Sequence, residues 1–193
     1  MARAFSVETA AAVTLIPTST AKTYLKVDIS EDDTLIANLI EAATQAAQDY
    51  TNRYFINTTL KMVADTWDDI ATLYKSPVSS VTNIKYYDSD NSVQTLADTV
   101  YFVDSVSKPC QICLKVDQSY PSLAARKMAV EVNYVVGEGA AASDVNELVK
   151  SAVLLMVGHW YQNREAVVVG RIASEIPLGA KMLLDQYKIQ VCR

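Results

Sequence analysis

The sequence contains few of the residues from which catalytic and metal centres are built. Its 193 residues include three cysteines and one histidine, His159. A Ser-His-Asp or Cys-His centre would depend on that histidine, and no serine lies in a G-x-S-x-G turn. A zinc site normally takes four ligands, and the pair Cys110 and Cys113 has no second pair to complete one. We therefore expect no catalytic residue, no metal ligand and no cofactor.

Features that bind phosphate or cross membranes are also missing. The five glycines form neither G-x-G-x-x-G nor G-x-x-x-x-G-K-[ST]. Lys and Arg number 17 against 22 Asp and Glu, and the net charge of −5 has the wrong sign for gripping a phosphate backbone. The longest strongly apolar stretch, Ala152–Gly158, is far shorter than the roughly 18 residues that span a bilayer. We expect no specific nucleic-acid binding and no membrane partner.

The composition is that of a folded chain. Half of the residues are apolar and 20% are charged, which excludes disordered and low-complexity classes. A chain of this length buries roughly 70% of its unfolded surface. We expect one domain over residues 1–193.

Apolar spacing of three and four residues predicts two long helices. The first, about Glu31 to Asn52, begins with Ser30 and Asp33 spaced as a capping box. The second, about Asp144 to Arg164, begins with a similar Asp144-Glu147 pair. A last helix is expected from Pro177 to about Tyr187, followed by an alternating, extended tail.

Between the long helices the pattern changes to period two. β-Branched and aromatic residues alternate with polar ones in five segments, which predicts strands: Lys61–Thr66, Val81–Tyr87, Val100–Val103, Ile112–Val116 and Met128–Val136. The acidic pair Asp68-Asp69 is interpreted as a solvated strand end. The fold class is therefore α+β: two long packed helices (helical body about 20–55 and 144–190) frame a small antiparallel β insertion at about 58–137.

Cys110 and Cys113 have the C-x-x-C spacing of metal and redox sites. Their segment alternates like a strand, in which positions three apart point to opposite faces. An odd number of cysteines also argues against a disulfide framework. We interpret the pair as structural.

One segment combines aromatic residues with arginine, as interfaces do. Trp160, Tyr161, Arg164 and Glu165 are followed by the three valines Val167, Val168 and Val169. The alternative is equally open at this point: Trp160 belongs to the core, and Arg164 with Glu165 is a solvated helix end.

The chain resembles the head-tail connector, or adaptor, proteins of tailed bacteriophages. Three regions carry the resemblance in the order of that family. They are the opening helix with Leu25–Asp28 and Asp32–Ala43; the β insertion with Ser76–Val81, Ile84–Asp88 and Tyr101–Asp104; and the closing segments Glu147–Ala152, Gly158–Val167, Ile176–Pro177 and Leu183–Leu184.

The resemblance implies a structural virion protein with no turnover. Members of this family form a ring, commonly of twelve subunits, that docks on the portal and continues the DNA exit channel towards the tail. The implied partners are other copies of the chain, the portal protein and a downstream tail or stopper protein. DNA passes through without specific binding, which suits an acidic subunit. The implied location is the head-tail connector of a virion, assembled in the cytoplasm of a bacterial host.

Two surfaces are predicted for these contacts. A ring needs two different complementary patches on each subunit, and we predict that Trp160, Tyr161, Arg164, Val167, Val168 and Val169 form one of them. The portal contact is predicted at the C-terminal end, by residues Tyr187, Lys188, Ile189, Gln190, Val191, Cys192 and Arg193, as a helix or as an added strand.

Two alternatives remain open. One is a tail-completion ring protein, a class that lacks a paired-helix frame around a β insertion. The other is a small phage hydrolase in which His159 acts with an acidic partner, which predicts a pocket at His159.

Overall fold

The computed structural model describes residues 3–163 and 176–189. Its helices are α1 (Thr18–Leu25), α2 (Asp33–Thr51), α3 (Trp67–Ile70), α4 (Glu147–Gln162) and α5 (Leu178–Asp185). Its strands are β1 (Arg3–Thr9), β2 (Thr58–Ala64), β3 (Thr72–Leu73), β4 (Val78–Tyr87), β5 (Val93–Thr95), β6 (Tyr101–Asp104), β7 (Cys110–Leu114) and β8 (Val130–Val136). The α+β class is confirmed.

The two long helices, α2 and α4, pack against each other and against α5. Their buried side chains recur at helical spacing, such as Ile36, Ile40, Ala43 and Ala47 on α2. We call the core that they form with α1 and α5 the helical cluster; its buried members lie within residues 15–56 and 145–184.

The predicted starts of both long helices need correction. No side chain caps α2 as a box would; Asp33 instead accepts a hydrogen bond from Lys22 Nζ at 2.5 Å. Before α4, Asp144 ends a short 3-10 turn, and the cap is Asn146, whose side chain accepts from Leu148 N at 2.9 Å. An asparagine cap satisfies an orphan helix donor as well as the predicted aspartate would, so spacing did not distinguish them.

The strands form two antiparallel sheets. One has five strands in the order β1-β2-β8-β4-β5, and the other has three in the order β3-β7-β6. Side chains alternate between buried and half-buried along β2 and β8, so one face of the larger sheet is covered and the other is partly exposed to solvent. The buried residues between positions 60 and 136 form a second core, the β cluster.

Two features of the β region were missed by the sequence reasoning. Strand β1 comes from the N-terminus, so the larger sheet is not purely an insertion between the helices. Asp69 is not a solvated strand end: it lies in the short helix α3, is 3% exposed, and accepts a hydrogen bond from Thr66 Oγ1 at 2.8 Å. Arg3 lies 3.8 Å from the same carboxylate and ties β1 to α3.

In the described ranges, no helix has both the length and the apolar character needed to cross a bilayer.

Candidate interaction surfaces

The end of α4 carries the first two residues of the predicted subunit interface. Trp160 and Tyr161 are half-buried against the helical cluster. The Tyr161 hydroxyl donates a hydrogen bond to the Asp32 carboxylate at the start of α2. Tyr161 therefore links the two long helices, and both residues keep only part of their surface for a neighbour. Arg164, Val167, Val168 and Val169 lie outside the described residues.

The C-terminal prediction falls partly on residues that hold the body together. The Tyr187 hydroxyl donates to Glu138, and the Arg53 guanidinium lies 4.2 Å from the centre of the Tyr187 ring and 3.1 Å from Glu138 Oε1. We call Arg53, Glu138 and Tyr187 the joint, because they link the end of α2, the end of β8 and the turn after α5.

Burial shapes the electrostatics of the joint. Desolvation, followed by the hydrogen bond to Glu138 and its negative charge, raises the pKa of Tyr187 to about 12. Arg53 and Glu138 side chains are each only 11% exposed. A charged pair this far from water is costly to break from one side, because the remaining charge keeps its desolvation penalty.

The two residues after Tyr187 continue this attachment. Ile189 is 6% exposed, and its N–H donates to Thr51 O at 3.0 Å. The Lys188 ammonium lies 4.5 Å from the centre of the Tyr50 ring. The four remaining residues of the predicted portal contact, Gln190, Val191, Cys192 and Arg193, lie outside the described residues.

A cleft of about 650 Å³ opens beside His159, between α1, α4 and α5. It is lined by Tyr24, Leu25, Lys26, Leu155, Gly158, His159, Gln162, Pro177, Gly179 and Ala180. The hydrolase alternative predicted such a pocket, but it also needs an acidic partner, and the described lining holds no carboxylate. The side chain within hydrogen-bonding distance of the His159 ring is that of Asn163, whose Nδ2 lies 3.3 Å from His159 Nδ1. The Asn163 side chain is an uncharged amide, so it is not the acidic partner that this alternative names.

Cys110 and Cys113 lie on β7, as the alternation predicted. Cys110 is 2% exposed, and burial raises the pKa of its thiol to about 11, so it stays protonated at neutral pH. Residues 3–163 and 176–189 contain no group of three or more potential metal ligands.

Exposed apolar side chains on β1 are a candidate surface that the sequence reasoning missed. Phe5 is 40% and Val7 53% exposed, although they lie on the strand face that carries Leu60 and Met62 in the neighbouring β2. The signal was present in the sequence, since Phe5 and Val7 alternate with small and polar residues.

The family of the chain follows from a match to a family model. The model of the Phage gp6-like head-tail connector protein family matches residues 18–113, from α1 into β7. The chain belongs to this head-tail connector family. It is a structural connector protein of the virion.

Solved structures extend the likeness of this connector to nearly its whole length. A chain of the virion of a native gene transfer agent particle and one of the neck of an empty particle each match with a TM-score of 0.79 and 19% identity. A chain of the native particle neck computed with C12 symmetry matches with a TM-score of 0.76 and 20% identity. Each match covers 98% of the connector and 97% of the other chain. No curated protein matches the connector in sequence.

Proposed function

We propose that this connector forms a ring that joins the portal to the tail and continues the DNA exit channel. The observation that carries the proposal is the family match, and it is supported by the shared fold of chains in particle necks computed with C6 and C12 symmetry. Twelve copies are the proposed number. The proposed location is the virion neck, after assembly in the cytoplasm of a bacterial host.

The charge of the subunit supports a passive channel. With a formal net charge of −5, a ring of copies repels DNA phosphates, so DNA slides through without specific binding. The connector is proposed to act by shape and position, with no chemical turnover.

The end of α4 is proposed as one side of the contact between copies. Trp160 and Tyr161 keep part of their surface exposed while packing on the helical cluster, and aromatic residues with arginine favour interfaces. Arg164 and Val167 to Val169 complete the proposed patch. Arg164→Ala should weaken ring assembly more than it lowers the melting temperature of the subunit; a fall in the melting temperature alone would make Arg164 structural.

The C-terminal end is proposed to contact the portal in two parts. Tyr187, Lys188 and Ile189 attach the end of the chain to the body, and Gln190 to Arg193 are proposed to reach the portal or a downstream tail or stopper protein. A chain ending at Ile189 should keep its melting temperature and lose portal binding. A truncation that begins at Gln186 is a poor test, because it also removes the joint.

The test of the ring is electron microscopy of the purified connector mixed with its cognate portal. An added ring of density on the portal is the expected result. Bare portals at a high micromolar concentration of connector would contradict the proposal and favour a tail-completion role. His159→Ala is the matched check on the hydrolase alternative, since it should leave ring density unchanged.

A further inference from the structure

The five-stranded sheet has two free edges within the described residues. Strand β1 pairs with β2 on one side only. At the other edge, β5 covers β4 only from Lys85 to Tyr87, which leaves Val78–Asn83 without a neighbouring strand on that side. A free edge offers a row of backbone donors and acceptors to any extended segment that reaches it.

The two edges carry the same division into an apolar and a polar face. On β1, Phe5 and Val7 lie opposite Met62 and Leu60 and so point to the covered face. On β4, Val78 and Val81 lie opposite Val136 and Tyr134, on the same covered face. The outer face carries Ser6 on β1 and Ser80 on β4. Two edges placed side by side would therefore join apolar to apolar and polar to polar.

The β1 edge has little protection against pairing. Its seven residues include no proline and no lysine, and its two charged residues, Arg3 and Glu8, lie within ion-pair distance of Asp69 and Lys61 of the same chain. Its apolar side chains Phe5 and Val7 remain 40% and 53% exposed. Natural edge strands are usually protected from pairing by proline or charged residues, by bulges, or by a helix or loop that covers the edge. The β1 edge has one bulge, between Val7 and Thr9. The β4 edge is irregular, with bulges between Val78 and Ser80 and between Val81 and Asn83, so a partner must fit it in one register.

We propose that β1 of one copy pairs with residues 78–83 of β4 in the next copy, so that the larger sheets join edge to edge around the ring. This inference rests on the proposed ring. Pairing β1 with β1 would be isologous and would stop at two copies, whereas two different edges make the heterologous contact that a closed ring requires.

The strand directions fix the geometry of the contact. The strands β1, β2, β8 and β4 alternate in direction, because each neighbouring pair is antiparallel. In a ring of twelve, the rotation from one copy to the next is small, so β1 of the next copy keeps nearly the same direction, meets β4 antiparallel and continues the alternation. A register with Ser6 opposite Ser80 also places Phe5 opposite Val81, so at these two adjacent positions a polar pair lies on the outer face and an apolar pair on the covered face.

The first test compares two lysine substitutions in the full chain mixed with the cognate portal. Val7→Lys puts a charge on the apolar side of the β1 edge, and we expect the ring to be lost. Val106→Lys is the matched control, because Val106 is 88% exposed at the tip between β6 and β7, in the other sheet. Both variants should keep the melting temperature of the unaltered chain, since both positions are exposed.

The second test is a cross-link in assembled particles. Ser6→Cys and Ser80→Cys are combined in a chain that keeps its native cysteines, and the particles are oxidised. The two single variants control for bonds to Cys113 or Cys192. A ladder of covalent multimers on a non-reducing gel is expected from the double variant, and monomers from each single variant.

The outcomes separate this inference from the proposed function. If rings form as readily with Val7→Lys as with Val106→Lys and the double cysteine variant gives no ladder, the edge pairing is overturned. The proposal that the connector forms a ring is not affected by that result. Portals that stay bare with the unaltered chain overturn the ring, and the edge pairing with it.

Discussion

The helical cluster and the β cluster differ in how the chain builds them. The helical cluster draws on both halves of the sequence, within residues 15–56 and 145–184, and small side chains close it: Ala21, Ala43, Ala47, Ala152 and Ala180. The β cluster is contiguous, between residues 60 and 136, and is filled by larger side chains such as Tyr134, Leu60, Met62 and Ile84. The helical cluster therefore depends on holding distant segments together, which is the task of the joint.

The largest expected effect comes from truncating one core residue in each cluster. Phe55→Ala in the helical cluster should lower the free energy of unfolding by about 3–5 kcal/mol, and Ile84→Ala in the β cluster by about 2–5 kcal/mol, because both side chains are fully buried. Trp160 packs on the helical cluster and Trp67 on the β cluster, so single-tryptophan variants report each cluster separately by fluorescence in urea.

We expect both tryptophans to report one coincident transition, as one domain requires. If each core variant shifts only the tryptophan of its own cluster, the two clusters unfold independently and the single-domain prediction is wrong.

A smaller loss is expected from breaking the joint. Arg53→Met leaves Glu138 without its cationic partner and should cost about 3 kcal/mol, the lower end for breaking a buried pair, because each side chain is 11% exposed. Arg126→Met is the matched control: its guanidinium also lies over a ring, 3.8 Å from the centre of Tyr87, but Arg126 is exposed, and its loss should cost about 0.5 kcal/mol. Equal losses in urea denaturation would show that the joint holds nothing more than a surface contact does.

The contribution of Tyr187 to the free energy of unfolding is expected to be smaller still and to depend on pH. Tyr187→Phe removes one hydrogen bond to Glu138 and should cost about 1 kcal/mol at pH 7. Because the pKa of Tyr187 is raised to about 12 from an ordinary 10, the folded protein holds this proton more tightly than the unfolded chain does. Its contribution is therefore complete below pH 10 and is lost as the pH rises towards 12.

The difference in stability between the unaltered chain and Tyr187→Phe should accordingly shrink between pH 10 and 12. Tyr24→Phe, at an exposed tyrosine on α1, is the control for the general effect of removing a phenol. A difference that stays constant across this range would contradict the role given to burial and Glu138.

The smallest effects concern glycines in the helices. A Cβ at Gly179 in α5 meets only Leu155 Cδ1 at 3.9 Å, so Gly179→Ala should raise stability by about 0.5 kcal/mol through helix propensity. A Cβ at Gly158 in α4 comes within 3.0 Å of Tyr24 Cε1, so Gly158→Ala should gain nothing net. Equal gains in melting temperature would show that α1 and α4 are not closely packed at this point.

The sequence was most informative where a single period ran through a long segment. The apolar repeat of α2 and the alternation of β8 each bury one face, so periodicity alone located them. It was least informative at element ends and edges: Asn146 replaced Asp144 as the cap of α4, and β1 was missed because its alternation, with Phe5 and Val7 as the apolar positions, is short. The joint could not be predicted, because Arg53, Glu138 and Tyr187 meet only through the tertiary fold.

The interaction surfaces show the same limit. Residue type alone predicts Trp160 and Tyr161 as interface residues, and only the structure shows that the Tyr161 hydroxyl is hydrogen-bonded to Asp32. Residue type predicts what favours an interface, whereas exposure depends on packing between distant segments.

The most direct test of the connector ring is native mass spectrometry of the cognate portal with and without the connector. The expected result is an added mass equal to a whole number of 21.2 kDa subunits, twelve in the proposed ring. A portal whose mass is unchanged at saturating connector would contradict it.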